Sequence, residues 1–377
     1  MKKTAFALAA LGLVASSAQA QSSVTVYGVI DVGLTYTTNA TRGTTPGSNG
    51  SRFSIDSGDL ATSRIGFRGV EDLGGGLKAL FQLENGFNAD TGGMASANTL
   101  FDRKSVVGLS GSFGTVTLGR QVDFLDDIGS KYTSVQTFGG NGVKGAHFGN
   151  LDRVAGSRAD NSVRFDSANY GGFTGNLFYS FGEVAGNTSA GQGFGFGANY
   201  VSGPFGIGGA YYQTKLSAAS GTAQPGDTNL KTFTLGTSYQ FGPAKLYGAW
   251  SQTKRPLQGG IAPGLVSSIT TQATKGNVID IGVDYALKDN LHLLGSVIHD
   301  RIDIARTSTG ATRARTTQFN LGVDYYLSKR TDVYAMWSNL RASDARNPGV
   351  INNAYDVAAP FDASTQNVVR VGLRHKF

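Results

Sequence analysis

The sequence predicts an all-β fold: sixteen antiparallel strands closed into a transmembrane β-barrel. Three observations predict it. Apolar residues alternate with polar or small ones along most of the chain, short and long connections take turns, and the chain ends in an alternating strand whose last residue is Phe377. The 377 residues include 54 Gly, 22 Phe and 15 Tyr, with a mean hydropathy of −0.14. Interior glycines each cost a helix about 1 kcal/mol, and so many aromatics demand burial in a folded chain. The mean hydropathy argues against a bundle of membrane helices, and the absence of cysteine excludes disulfides and Cys-ligated metals.

From the N-terminus, Lys2 and Lys3 precede the apolar run Phe6–Ala15 and the sequence Ser-Ser-Ala-Gln-Ala ending at Ala20. A charged start, a short apolar stretch and small residues at the end predict a signal peptide over residues 1–20. The run is far shorter than the roughly 20 residues that span a bilayer. Residues 21–377 then form one exported domain of a secreted, periplasmic or outer-membrane protein.

Strands read clearly further on. Ile279, Ile281, Val283, Tyr285 and Leu287 alternate with Asp280, Gly282, Asp284 and Ala286. Phe319, Leu321, Val323, Tyr325 and Leu327 repeat the pattern, as do Phe233, Leu235, Tyr239 and Phe241. Tight turns fall at 74–76, 112–114, 170–172, 203–205, 242–243, 288–290 and 328–330. Longer polar stretches lie near 39–60, 88–100, 125–157, 184–192, 217–230, 255–276, 303–315 and 342–364. Seven turns and eight loops connect sixteen strands.

A weak repeat supports this. Gly197-Ala-Asn-Tyr200, Gly236-Thr-Ser-Tyr239, Gly282-Val-Asp-Tyr285 and Gly322-Val-Asp-Tyr325 each precede a tight turn and recur every 39 to 46 residues. That is one hairpin plus its long loop, and the tyrosines fall where an aromatic girdle meets lipid headgroups. A β-propeller also repeats at about 40 residues, but with four short strands per blade.

At the C-terminus, Val369, Val371, Leu373, His375 and Phe377 face one way and Arg370, Arg374 and Lys376 the other. A strand running to a terminal aromatic has no loop to cover its edge, so pairing with the first strand, 24–36, closes the sheet.

Over essentially all of residues 21–377 the chain resembles the trimeric general porins of Gram-negative bacteria, in the β-proteobacterial and neisserial branch. The resemblance is carried by SSVTVYGVIDVGL (22–34), SRIGFRGVEDLGGGLKALFQLENGF (63–87), GSFGTVTLGRQ (111–121), DNSVRFDSANYGGF (160–173) and VGLRHKF (371–377). It implies a homotrimer of sixteen-stranded barrels, each with its own water-filled pore and a third loop folded inward to form the constriction. It also implies contact with outer-membrane lipid and lipopolysaccharide, and assembly by the barrel-assembly machinery through the C-terminal strand and Phe377. Small hydrophilic solutes and anions are the implied cargo. No cofactor, metal or nucleic acid is implied.

The charges that would set function lie in the lumen. With Ile65, Phe67, Val163 and Phe165 facing lipid, alternation turns Arg64, Arg68, Arg158, Asp160, Ser162 and Arg164 inward. By resemblance, Arg64, Arg103 and Arg158 match a basic wall opposite the third loop, Arg68 a further lumen base, and Glu84 a lumen carboxylate. Asp102 and Lys104 flank Arg103, so its inward position rests on the resemblance alone. Arg120 matches an outward arginine at the subunit contact.

The third loop, 122–157, carries Thr137-Phe138-Gly139-Gly140, similar to the family's Pro-Glu-Phe-Gly-Gly tip. Thr137 stands where enterobacterial members have Glu, and Thr133 replaces a second acid. Asp123, Asp126 and Asp127 sit earlier in the loop, and Lys131 and Lys144 add positive charge. Unit charges about 5 Å apart in water interact by roughly 0.8 kcal/mol, so uncompensated arginines would favour anions.

Catalysis needs a nucleophile or water with a positioned base. His147, His292, His299 and His375 fall in no such spacing, so the chain reads as a channel and not an enzyme. A substrate-specific channel for phosphate or an organic anion is the alternative. It would require an aromatic track in the lumen, for which only Tyr27, Tyr247 and Tyr326 are candidates.

Overall fold

The computed structural model describes residues 23–41, 49–143, 145–147, 150, 152–215, 229–254, 273–306, 310–343 and 365–377. The expected signal peptide, 1–20, lies outside the described residues, as do Lys144 and most of the expected loops at 217–230, 255–276 and 342–364. The strand segments are β1 (Ser23–Thr41), β2 (Asn49–Ser57), β3 (Arg64–Gly74), β4 (Leu77–Gly86), β5 (Lys104–Gly111), β6 (Gly114–Val122), β7 (Arg158–Ser167), β8 (Phe173–Ser180) and β9 (Gly193–Ser202). They continue as β10 (Phe205–Lys215), β11 (Asn229–Phe241), β12 (Ala244–Lys254), β13 (Ala273–Lys288), β14 (Leu291–Arg306), β15 (Gly310–Tyr326), β16 (Thr331–Ser343) and β17 (Thr365–Lys376). Two short helices, α1 (Leu125–Tyr132) and α2 (Val135–Val143), lie in the third loop.

All segments belong to one antiparallel sheet, and β17 returns to pair with β1 from Val29↔Lys376 to Thr37↔Val368. The barrel is closed. The last residue seals it: the Phe377 N–H donates to Gly28 O and the Gly28 N–H to Phe377 O, both at 3.1 Å.

Seventeen segments fill sixteen wall positions because β2 and β3 lie end to end. Both pair with the same side of β1, β2 with its second half and β3 with its first. The interruption at Gly58–Ser63 is built around Asp31: Gly58 N–H donates to its carbonyl (2.8 Å) and Ala61 N–H to its carboxylate (2.8 Å). The polar stretch 39–60, expected to be loop throughout, thus contains a strand. The stretch 303–315 is also mostly strand, since β14 runs to Arg306 and β15 begins at Gly310.

The seven tight turns occur as expected. At the first, Gly74, Gly75 and Gly76 have φ of 84°, 61° and 81°, left-handed values that a side chain resists. The girdle tyrosines Tyr200, Tyr239, Tyr285 and Tyr325 are 39–47% exposed on the outer face near these turns. Val369, Val371, Leu373 and Phe377 also face outward, while Arg370 is buried inside. Short turns on one rim and long loops on the other orient the barrel, with the loops extracellular.

Candidate functional site

The third loop leaves β6 and packs against the inner wall. Phe124, Leu125, Ile128 and Tyr132 of its first half bury themselves with Phe178, Ala210 and Tyr212. Phe138 and Val143 pack farther round the barrel on Leu294, Ile298, Leu340 and Val368. Polar contacts tie the loop down between these clusters. Thr137 Oγ1 lies 2.6 Å from Tyr247 Oη, Ser134 N–H donates to Asp280 (2.7 Å), and Gln318 Nε2 donates to Gly142 O (2.7 Å).

The repeat glycines make room for this docking. Gly197, Gly236 and Gly322 face inward beneath Phe124, Tyr132 and Phe138, while Gly282 underlies Tyr247. A Cβ at Gly236 would overlap Tyr132, and one at Gly282 the Tyr247 ring. Each Gly-x-x-Tyr unit therefore works on both faces, with the tyrosine toward lipid and the glycine beneath an aromatic in the lumen. Sequence reading found the tyrosines' role and missed the glycines'.

The loop tip meets the break between β2 and β3. Gly139, with φ 71°, interrupts α2 where a Cβ would strike the Asp59 and Leu60 carbonyls. Asn141 Nδ2 donates to Gly58 O at 2.7 Å. Gly140 packs beside Ala155. Thr133 Oγ1 donates to Gly129 O (2.6 Å), and both Thr133 and Thr137 are buried. Lys131 is exposed.

The basic residues gather around Glu84. Its Oε1 accepts from Arg103 Nε at 2.6 Å, its Oε2 lies 3.7 Å from Arg64 Nε, and Tyr27 Oη donates to Oε2 at 2.9 Å. Arg158 Nε donates to the Arg103 carbonyl at 3.2 Å. The Arg68 guanidinium stands 5.4 Å from the Tyr27 ring centroid, a favourable cation–π separation. Among the described residues neither Arg68 nor Arg158 has a carboxylate within salt-bridge range. Arg103 precedes the first residue of β5, so strand alternation does not govern it; Lys104, paired with Glu84 across the β4–β5 ladder, is also inward. Lys104 is a lumen base that sequence reading passed over.

Two residues expected on the inner row behave differently. Arg164 is neutralised by Asp127 and Asp166, so it adds no open positive charge. Asp160 leaves the inner row altogether: it is exposed and paired with Arg120. The cause is a register shift between Gly119 and Gln121 together with a left-handed Asn161 (φ 52°), which breaks alternation before it resumes at Ser162. Arg120 Nε also donates to the Asp102 carbonyl at 2.7 Å.

The three loop aspartates are used differently. Asp123 is fully buried and held by Arg153 within the loop, and Asp127 is spent on Arg164. Asp126 has no base in salt-bridge range among the described residues. Burial and its neighbours Asp127 and Asp123 push its carboxyl up to about 6, against the pull of Arg158 and Arg103. His147, absent from the expected site, lies between Asp152 (2.8 Å) and Asp280 (3.3 Å) and anchors the loop's far end.

The Gram-negative porin family profile matches residues 7–345. Outer membrane porin protein 32 of Delftia acidovorans is 34% identical over 393 aligned positions that cover all of both chains. The major outer membrane protein P.IB of Neisseria gonorrhoeae is 33% identical over 213 positions, 54% of this chain and 55% of its own. Among solved structures, the anion-selective porin from Comamonas acidovorans aligns with a TM-score of 0.72 and 29% identity over 95% of this chain and 100% of its own. The trimer form of OmpT from Vibrio cholerae shares the fold, with a TM-score of 0.65 at 17% identity over 94% and 99% of the two chains. A closed barrel, a loop packed against its inner wall and a full-length match together place the chain in the Gram-negative porin family of outer-membrane channels.

Proposed function

We propose that this porin is a general diffusion channel that prefers small anions, works as a homotrimer, and sets its preference at Arg64, Arg68, Arg103, Lys104 and Arg158. One observation carries the reading. Five bases share the region around Glu84, where the other nearby acids are Asp126 and Asp102, the latter turned to the Gly86 N–H and the Ser96 hydroxyl, while Asp123 and Asp127 are bound to Arg153 and Arg164. The similarity to a protein described as an anion-selective porin supports it. Excess fixed charge of one sign in a narrow passage raises the local concentration of counter-ions.

The test is the reversal potential of single channels in a planar bilayer across a KCl gradient. Chloride preference is expected, with conductance steps grouped in threes. Replacing Arg64 and Arg158 together with Glu should shift the reversal potential toward cations. An unchanged potential in that variant would remove these two residues from the mechanism.

A further inference from the structure

Arg103 makes the closer of Glu84's two ion pairs, 2.6 Å against 3.7 Å for Arg64. Yet it stands one residue ahead of β5, where the β4–β5 ladder has ended at Glu84↔Lys104. A side chain is placed only as well as the backbone that carries it. The peptide between Asp102 and Arg103 therefore needs a hold other than regular strand pairing.

Charged side chains supply that hold. Arg120, on β6, donates from Nε to the Asp102 carbonyl at 2.7 Å. Arg158, on β7, donates from Nε to the next carbonyl, that of Arg103, at 3.2 Å. The Asp102 carboxylate is buried and accepts from the Gly86 N–H (2.7 Å) and the Ser96 hydroxyl (3.2 Å). The Arg103 N–H donates to the Glu84 carbonyl at 3.2 Å. Two consecutive carbonyls are thus each gripped by a guanidinium, and such charge-assisted bonds are stronger than neutral ones.

Arg120 works from the other side of the wall. Thr117 and Gln121, two turns of the pleat apart, are joined by a buried 2.6 Å hydrogen bond on the inner face, while Leu118 is exposed on the outer one. Arg120 lies on the outer row with Leu118. Its guanidinium also meets Asp160, whose side chain is 64% exposed and which the register shift between Gly119 and Gln121 has turned out of the lumen. Gly119 lets β6 come close enough: a Cβ there would lie 2.1 Å from the Ser105 carbonyl oxygen. The contacts from Asp160 through Arg120 and the Asp102 carbonyl to Arg103 and Glu84 therefore cross the wall from outer face to pore.

We propose that Arg120 is a positioning residue for ion selectivity: anchored by Asp160 on the outer face, it fixes the 102–103 peptide so that Arg103 and Arg158 converge at the constriction. The proposal rests on the channel reading above and adds to it a pair of residues outside the lumen.

The measurement is the chloride-to-potassium permeability ratio of the folded full chain, taken from reversal potentials in a KCl gradient. Moving one unit charge from about 5 Å to about 10 Å from an ion in water changes local ion preference about twofold. Arg120→Gln should lower the ratio by about that factor as Arg103 loses its place. Asp160→Asn should lower it as well, because Arg120 loses its outer anchor. The double variant should match Arg120→Gln, since Asp160 acts through Arg120. Fixed charge acting at a distance gives the opposite pattern. Loss of the acid at 160 would then raise the ratio, and the double variant, with net charge restored, would keep the wild-type value. Either of those results, or an unchanged ratio in Arg120→Gln, would overturn the proposal. Should Arg120→Gln not fold, the sign of the change in Asp160→Asn alone decides. Arg103→Gln separates the two levels. A lowered ratio there beside an unchanged one in Arg120→Gln refutes the positioning alone; an unchanged ratio in Arg103→Gln refutes the role of Arg103 in selectivity and the positioning with it.

Discussion

Asp126 lies in the first turn of α1 and faces Arg158 and Arg103 across the lumen, and its carboxyl titrates at about 6. At about pH 7 it is mostly ionised and offsets part of the basic wall; at about pH 5 it is mostly neutral. Anion preference should therefore rise as pH falls through 6, read as a growing reversal potential in the bilayer. Asp126→Asn should show the stronger preference at all pH values and lose this step. Because folding raises this carboxyl above its unfolded value, its protonated form favours the folded loop. That contribution is fully present below about pH 4 and is lost as pH rises through about 6. Glu84 makes a different case. Glu84→Gln removes the negative charge that pairs with both Arg64 and Arg103, so anion preference should increase. The side chains of the two arginines remain 27% and 15% exposed, so water limits the thermal destabilisation to about 1–2 kcal/mol.

At the scale of elements, the third loop is held by shape at one end and by charge at the other. Gly236 gives Tyr132 its seat, and Gly236→Leu should lift α1 from β11, visible as a changed conductance and greater current noise in a barrel that still folds. At the far end, burial alone would push the His147 imidazole down, but Asp152 and then Asp280 outweigh it and raise it to about 10. The Ser251 hydroxyl donates to Asp152. A raised imidazolium stabilises the docked loop fully below about pH 6.5, and this is lost as pH rises through about 10. His147→Phe should give noisy channels already at neutral pH, while the wild type becomes noisy only above about pH 10. These anchors were not legible in the sequence, since they join residues as distant as His147 and Asp280. The strands were legible, because alternation and turn glycines are local signals. Alternation misled only where the backbone leaves regular pleating, at the Asn161 bulge that turns Asp160 out, and it gave no guidance at Arg103, ahead of β5. The β2 strand was hidden for a related reason: its sequence Asn49–Ser57 is as polar as a loop, and it is fixed by pairing with β1.

For the whole molecule, closure is the condition on which every lumen property rests. An open barrel would leave the edges of β1 and β17 unpaired in lipid, where each unsatisfied backbone group costs several kcal/mol. The first and last strands pair along their length, and at the end of that seam Phe377 exchanges hydrogen bonds with Gly28 and its ring lies over that glycine. The backbone and the ring can be separated by experiment. Phe377→Ser keeps the N–H and C=O but removes the ring; deleting Phe377 removes both; Gly28→Val keeps both but places a side chain against the ring and the Arg64 carbonyl. If the ring excludes water and lipid from the seam, folding yield into vesicles, scored by the gel shift between heated and unheated samples, should fall for all three. The deletion should fall furthest, and Phe377→Tyr should fold like the wild type because its ring still covers Gly28. A Ser variant that folds fully would mean that the backbone pair alone closes the barrel. The terminal aromatic would then be needed at an earlier stage, when the C-terminal strand is still free and its outward row Val369, Val371 and Leu373 is exposed.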